Sequence, residues 1–213
     1  MRGRINLTGC SGIGKTTIAK DLSERLNVPF ISGSYSDLVP ETRNIPHSEM
    51  IQQDAKLVFE QDVQVLNARN KLFGQYPELV SDRSYIDSAA YMIQKLSHRL
   101  PTCEIEDFVE KCRVLTLIQC RKVIYLPYTH KYFTEWEIED NGKRVLNKFY
   151  QAEITAIIDY LLNEYWGCDV IKVIEGNPVL LLMDSNYGMT EILVLNTIPH
   201  VQRIKVIEQF LEK

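Results

Sequence analysis

Arg4-Ile5-Asn6-Leu7, followed by Gly9-Cys10-Ser11-Gly12-Ile13-Gly14-Lys15-Thr16-Thr17, decides the fold. The first four residues read as a short strand, and the segment after it matches GxxxxGK[ST] at every fixed position. From Lys15 to Leu26 the apolar residues Ile18, Ala19, Leu22 and Leu26 recur at helical spacing, so the glycine-rich turn joins a strand to a helix. That context gives the pattern its chemistry. Glycines let successive backbone N–H groups turn inward around phosphate oxygens, and the helix N-terminus adds a partial positive charge. Gly9, Ser11, Gly12, Ile13, Gly14, Lys15, Thr16 and Thr17 are therefore the expected nucleotide-phosphate contacts. Lys15 would bridge the β- and γ-phosphates, and the Thr16 hydroxyl would ligate Mg²⁺. Cys10 reads in two ways: a thiol acidified by the helix N-terminus and so open to oxidation, or a small side chain filling the turn.

Outward from this loop, short apolar runs alternate with longer amphipathic ones, the pattern of an α/β fold. Pro29-Phe30-Ile31, Glu78 to Ser81, Val123 to Leu126 and Asp169 to Ile174 read as the second to fifth strands. Helices are expected over His47 to Phe73, Ser84 to Leu96, Glu104 to Cys120, Lys148 to Tyr165 and Val201 to Leu211. Asp62 interrupts the apolar face of the first of these, while Arg69, Lys95 and Arg99 read as solvated positions. Thr129 to Asn147 is polar and lid-like. Gly176 to Pro199 carries two apolar runs, an insertion that a hairpin would accommodate. No repeat or linker divides residues 1–213, which read as one domain.

Composition narrows the class. At 45% hydrophobic and 24% charged residues, the chain is neither disordered nor collagen-like, and its net charge of -4 gives no global attraction to nucleic acid. The start is too polar for a signal peptide, and no apolar run approaches the roughly 18 to 20 residues of a membrane span. Five cysteines without a CxxC pair fit reduced thiols and a cytoplasmic setting, and the scattered histidines offer no zinc-ligand spacing.

The loop alone does not name the phosphoryl acceptor, because ATPases, GTPases, motors and kinases share it. No NKxD-type guanine reader follows Asn6, Asn67 or Asn147. A second strand-end motif, Leu79-Val80-Ser81-Asp82-Arg83-Ser84, is more selective. There Asp82 would hold a Mg²⁺ water or orient the acceptor hydroxyl, and Arg83 would clamp a phosphate. The bland alternative is a helix N-cap followed by a surface arginine.

Together with Val39-Pro40-Glu41-Thr42-Arg43, Phe59-Glu60-Gln61-Asp62, Asp87-Ser88-Ala89-Ala90-Tyr91 and Asp140-Asn141-Gly142-Lys143-Arg144, these motifs resemble the P-loop nucleoside and nucleotide kinases. The likeness is nearest to the AAA-type kinase branch that includes ribosylnicotinamide kinase domains. It is more distant to thymidylate and deoxynucleoside kinases, with their DR(Y/H) and ERS motifs. It runs in matching order from the first strand to about Ile174. The resemblance implies a three-layer fold, with a five-stranded parallel sheet of order 2-3-1-4-5, helices on both faces and a lid. It implies ATP as phosphoryl donor, Mg²⁺, and a site at the carboxyl ends of the strands. Glu41 and Arg43 would lie on the acceptor side, with Glu41 receiving or orienting the acceptor hydroxyl. Arg144, between Lys143 and Lys148, would be the mobile lid arginine, and Arg203 would match a terminal-helix arginine beside the nucleotide. The alternative for Arg144 is a solvated basic cluster facing Glu135, Glu137, Glu139 and Asp140. Trp136, Tyr128, Tyr132 and Phe133 would stack on a base or pack at the sheet edge.

Three functions are consistent with this reading. The first is a kinase for a nucleoside, nucleotide or similar ribosylated small molecule. The second follows from viral kinases of this kind that phosphorylate hydroxymethylated bases, such as hydroxymethyluracil, within DNA. It would need a basic track such as Arg43, Lys56, Arg69 and Lys71 with the lid lysines. The third is a nucleotide-dependent switch without transfer. The resemblance also allows a homodimer.

Overall fold

The computed structural model describes residues 3–39, 52–128, 147–196 and 199–212. Strand β1 (Arg4–Thr8) runs into the glycine-rich loop and helix α1 (Lys15–Leu26). Strand β2 (Phe30–Ile31) leads to a single helical turn, α2 (Tyr35–Leu38). Helix α3 (Ala55–Gly74) precedes β3 (Leu79–Ser81), and α4 (Tyr85–Leu96) and α5 (Thr102–Gln119) precede β4 (Lys122–Tyr125). Helix α6 (Lys148–Tyr160) continues as a π-helical turn over Leu161–Tyr165. Strands β5 (Asp169–Ile174), β6 (Asn177–Asp184) and β7 (Gly188–Val194) follow, and α7 (His200–Leu211) ends the fold. The long helix starts at Ala55 rather than running unbroken from His47, because the Asp54 carboxylate accepts from the amides of Lys56 at 2.9 Å and Leu57 at 3.3 Å.

The sheet has seven strands in the order β2-β3-β1-β4-β7-β6-β5. Its first four strands keep the expected order 2-3-1-4, all parallel. The fifth parallel place, beside β4, belongs to β7, with Val123 opposite Ile192 and Ile124 opposite Leu193. Asp169–Ile174, expected there, lies instead at the far edge, antiparallel to β6. The reason is burial. A strand inside a parallel sheet is covered on both faces, and Val170, Ile171 and Val173 keep 44–63% of their surface exposed, whereas Ile192 and Leu193 keep none. The stretch read as an insertion thus supplies two sheet strands.

Helices cover both faces. Thr190 donates to the carbonyls of Thr116 and Cys120 at the end of α5, while its neighbour Glu191 faces Lys122 and Lys172, which lie over Phe210 of α7. Adjacent strand residues point to opposite faces, so α5 and α7 flank the sheet. Ile5, Leu7, Val80, Val123 and Ile124 fill the core between them. Among the described residues no helix is long and apolar enough to cross a membrane.

Two cations read as solvated are buried. Lys95 of α4 donates to Asp62 of α3 at 2.6 Å, with its ammonium 5.5 Å from the Tyr35 ring, so the acid that broke the apolar face has a buried partner. Removing one member of such a pair strands the other charge. Asp62→Ala is therefore expected to cost about 3–5 kcal/mol in urea unfolding, and a paired Asp62→Leu/Lys95→Met replacement much less. Arg69, also buried, serves the site described next.

Candidate phosphoryl-transfer site

Parallel pairing of β1 with β3 sets Asn6 opposite Ser81, so the loop after β1 and the segment after β3 emerge side by side. Ligand crevices in open α/β sheets lie at such carboxyl ends. Gly9 is required by space: with φ of 136°, a Cβ there would lie 2.4 Å from the Leu126 carbonyl oxygen and 2.5 Å from Ile13. Gly14, at φ of 88°, caps α1 without a side chain, which leaves the first-turn amides to face a phosphate.

Lys15 is buried and donates to the carbonyl oxygens of Gly9, at 2.6 Å, and Cys10. Burial, then the nearby Arg83, pushes its ammonium down to about 7, against the pull of Asp87, Cys10 and Asp82. Phosphate needs the protonated form and restores its pKa, so nucleotide binding takes up a proton above pH 7. Calorimetry between pH 7 and 9 in buffers of different ionisation enthalpy should show an affinity that falls with pH, by up to about tenfold per unit. Proton uptake should approach one per nucleotide and be absent in Lys15→Met. Cys10 behaves oppositely to an acidified thiol: burial pushes it up to about 11 despite Lys15, so it fills the turn.

The Thr16 hydroxyl donates to Asp82 Oδ2 at 2.7 Å, and Asp82 Oδ1 accepts from the Gly33 amide at 3.0 Å. Asp82 is 5% exposed and is not the helix cap, since Ser84 caps α4. Two hard oxygens this close, one a carboxylate, suit a small dication that keeps several waters, so the residues present fit Mg²⁺. The glycine cradle and the α1 amides fit a polyphosphate on the same grounds.

Gly33 is packed against this segment, for a Cβ there would meet Arg83 Cβ at 2.5 Å. Arg69 donates to the carbonyls of Gly33 and Ser84, both at 2.8 Å, and to the Ser88 hydroxyl. It ties the end of β2 to the end of β3 and is no surface charge. Arg83 retains 22% of its side-chain surface and lies 3.4 Å from Asp87 Oδ1. Arg203 of α7 also approaches the loop, its guanidinium 4.0 Å from where a Cβ of Gly14 would stand. Ser11 meets Tyr91 at 3.1 Å, its carbonyl accepts from Gln151 at 2.7 Å, and Thr17 is exposed on the first turn of α1.

Lys15, Thr16, Asp82, Arg83 and Arg203 are thus gathered around one loop. Glu41, Arg43 and Arg144 lie outside the described residues, as do Lys143, Trp136, Tyr132, Phe133 and the lid over 129–146. Tyr128 is half-buried, its amide donating to Thr155 Oγ1 at 3.2 Å. Sequence reading gave no role to Asp87, although Ser84-Tyr85-Ile86-Asp87 carries the spacing of a capping box, which the structure forms.

The chain belongs to the AAA domain family, whose model matches residues 4–178. Among solved structures it is similar to deoxyadenosine kinase from M. mycoides with bound dATP, at 17% identity and a TM-score of 0.64 over 99% of this chain and 100% of that one. The same enzyme with bound dCTP gives 16% identity and a TM-score of 0.61, over 98% of each chain. The NadR protein in complex with NR gives 15% identity and a TM-score of 0.63, over 99% of this chain and 52% of that one. At these identities the likeness is one of fold. No curated protein matches the sequence.

Proposed function

We propose that this protein is an ATP- and Mg²⁺-dependent kinase that transfers the γ-phosphoryl group to a nucleoside, nucleotide or similar ribosylated small molecule. The observation that carries the reading is the 2.7 Å contact of Thr16 with Asp82, with Arg83 next in the chain: a phosphate loop joined to an acid–arginine pair on the neighbouring strand. Similarity of fold to a deoxyadenosine kinase with bound dATP or dCTP, and to the NadR protein in complex with NR, supports an acceptor of nucleoside type.

Phosphoryl transfer asks a protein chiefly for position and charge. The loop amides hold the phosphates, and Lys15 spreads the charge of the transferring group. Thr16 and Asp82 would hold Mg²⁺, which would supply neutralisation of phosphate charge. Arg83, with its partly open face, would meet the phosphoryl group from the acceptor side. With Asp82 assigned to the cation, the proton of the acceptor hydroxyl passes to another carboxylate, for which Glu41 is our choice, and Arg43 is proposed to serve the acceptor. Arg144 would close over the phosphates and exclude water.

The experiment is transfer of label from γ-labelled ATP across nucleosides, ribosylnicotinamide, nucleoside monophosphates, and DNA with normal and hydroxymethylated bases. Label on a small acceptor supports the proposal. Label confined to DNA would move the assignment to a polynucleotide kinase, which has lost one of its track residues to burial at Arg69. Nucleotide binding without label on any acceptor would favour a switch.

A further inference from the structure

Two residues of α4 touch both the donor loop and Arg83. Asp87 Oδ1 accepts from the Gly9 amide at 3.2 Å and lies 3.4 Å from the Arg83 guanidinium. Its Oδ2 accepts from the Ser84 amide at 2.8 Å and the Ser84 hydroxyl at 3.2 Å. All four acceptor positions of this buried carboxylate are therefore engaged. Tyr91, one helical turn on and on the same face, repeats the arrangement. Its hydroxyl meets Ser11 at 3.1 Å, and its ring lies 5.7 Å from the Arg83 guanidinium carbon. A helix cap alone accounts for only the Oδ2 contacts, so the Oδ1 side and Tyr91 call for another explanation.

We infer that Asp87, seconded by Tyr91, is a positioning residue that locks Arg83 to the phosphate loop, so that donor site and acceptor-side arginine move as one unit. The inference rests on the kinase reading for its catalytic consequence, while the coupling itself is independent of it. Asp87→Asn separates the two roles of the carboxylate. With its oxygen kept towards Ser84 the cap survives, and the amide NH₂ then faces two donors, the Gly9 amide and Arg83. Misplacement of a positioned group by an ångström costs about 100-fold in rate. Asp87→Asn is therefore expected to lower kcat between about 10- and 100-fold, with KM for ATP changed less than about threefold. Tyr91→Phe, which removes only the hydroxyl, is the milder probe, expected to lower kcat about 3- to 10-fold.

The decisive experiment is a double-mutant cycle with Arg83→Gln, read in kcat, alongside the Gly9 amide resonance in ¹H–¹⁵N spectra of the same four proteins. If Asp87 acts through Arg83, its substitution costs less than about threefold once Arg83 is gone, and Gly9 shifts in both single variants. Equal cost in both backgrounds, or a kcat within about twofold of wild type in both Asp87→Asn and Tyr91→Phe, would overturn the inference. Should wild type transfer phosphate to no acceptor, the kinase reading fails, and the Gly9 resonance decides the coupling: shifted by both substitutions it stands, unmoved by one or both it falls.

Discussion

Lys15→Ala will lower kcat/KM for phosphoryl transfer by about 10³-fold, or about 4 kcal/mol of transition-state stabilisation. Lys15 is the one loop side chain whose charge is held inside the cradle, where a low dielectric strengthens its action on developing phosphate charge. The variant should also be no less stable than wild type. Burial already pushes the ammonium down to about 7, so folding gains nothing from holding that charge, and alanine removes the burden. A melting temperature equal to or above wild type, together with the rate loss, is the expected pair. Activity lost through unfolding would show instead as a lowered melting temperature.

Asp82→Asn is the second large effect, expected at about 10²- to 10³-fold in kcat. The substitution keeps the local structure, because an asparagine oxygen can accept from the Gly33 amide while its NH₂ donates to the Thr16 hydroxyl in the reverse sense. What disappears is the negative charge that fits Mg²⁺. The Mg²⁺ concentration at half-maximal activity should rise more than about tenfold, which a general loss of packing would not produce. A rate loss with an unchanged Mg²⁺ profile would move Asp82 from the cation to the acceptor hydroxyl.

The phosphate-loop half of the candidate site was legible in the sequence because its logic is local. Strand, glycines, lysine, threonine and helix lie within Arg4 to Leu26, and α1 has the bounds its periodicity predicts. Asp82-Arg83 was legible for the same reason, at the end of a buried strand. What the sequence concealed depends on residues far apart in the chain. Lys95 and Arg69 sit on amphipathic helices where cations are ordinarily solvated, and their burial follows from Asp62, Gly33 and Ser84. Asp62 on an apolar face was the available hint, since an acid there requires a buried cation. The edge meander was hidden by its turn. Glu175 and Gly176 both take positive φ, 45° and 79°, as a two-residue hairpin needs, but glutamate is not a residue that advertises such a turn. Without that signal, Asp169–Ile174 looked like the last parallel strand, and the apolar run that fills that place, β7, looked like an insertion. The resemblance to the AAA-type kinase branch was legible because its motifs recur in order along the chain, and the AAA domain family model matches residues 4–178.

If the phosphate loop and the Asp82-Arg83 segment form one site for transfer to an acceptor, ADP release depends on that acceptor. Initial rates would be measured with MgATP alone and with each small acceptor of the panel. Release is expected to be slow without acceptor, at least about 100-fold faster with the cognate one, and to lose that acceleration in Lys15→Ala and on chelation of Mg²⁺. ADP release at the same rate whether or not any acceptor is present would contradict it.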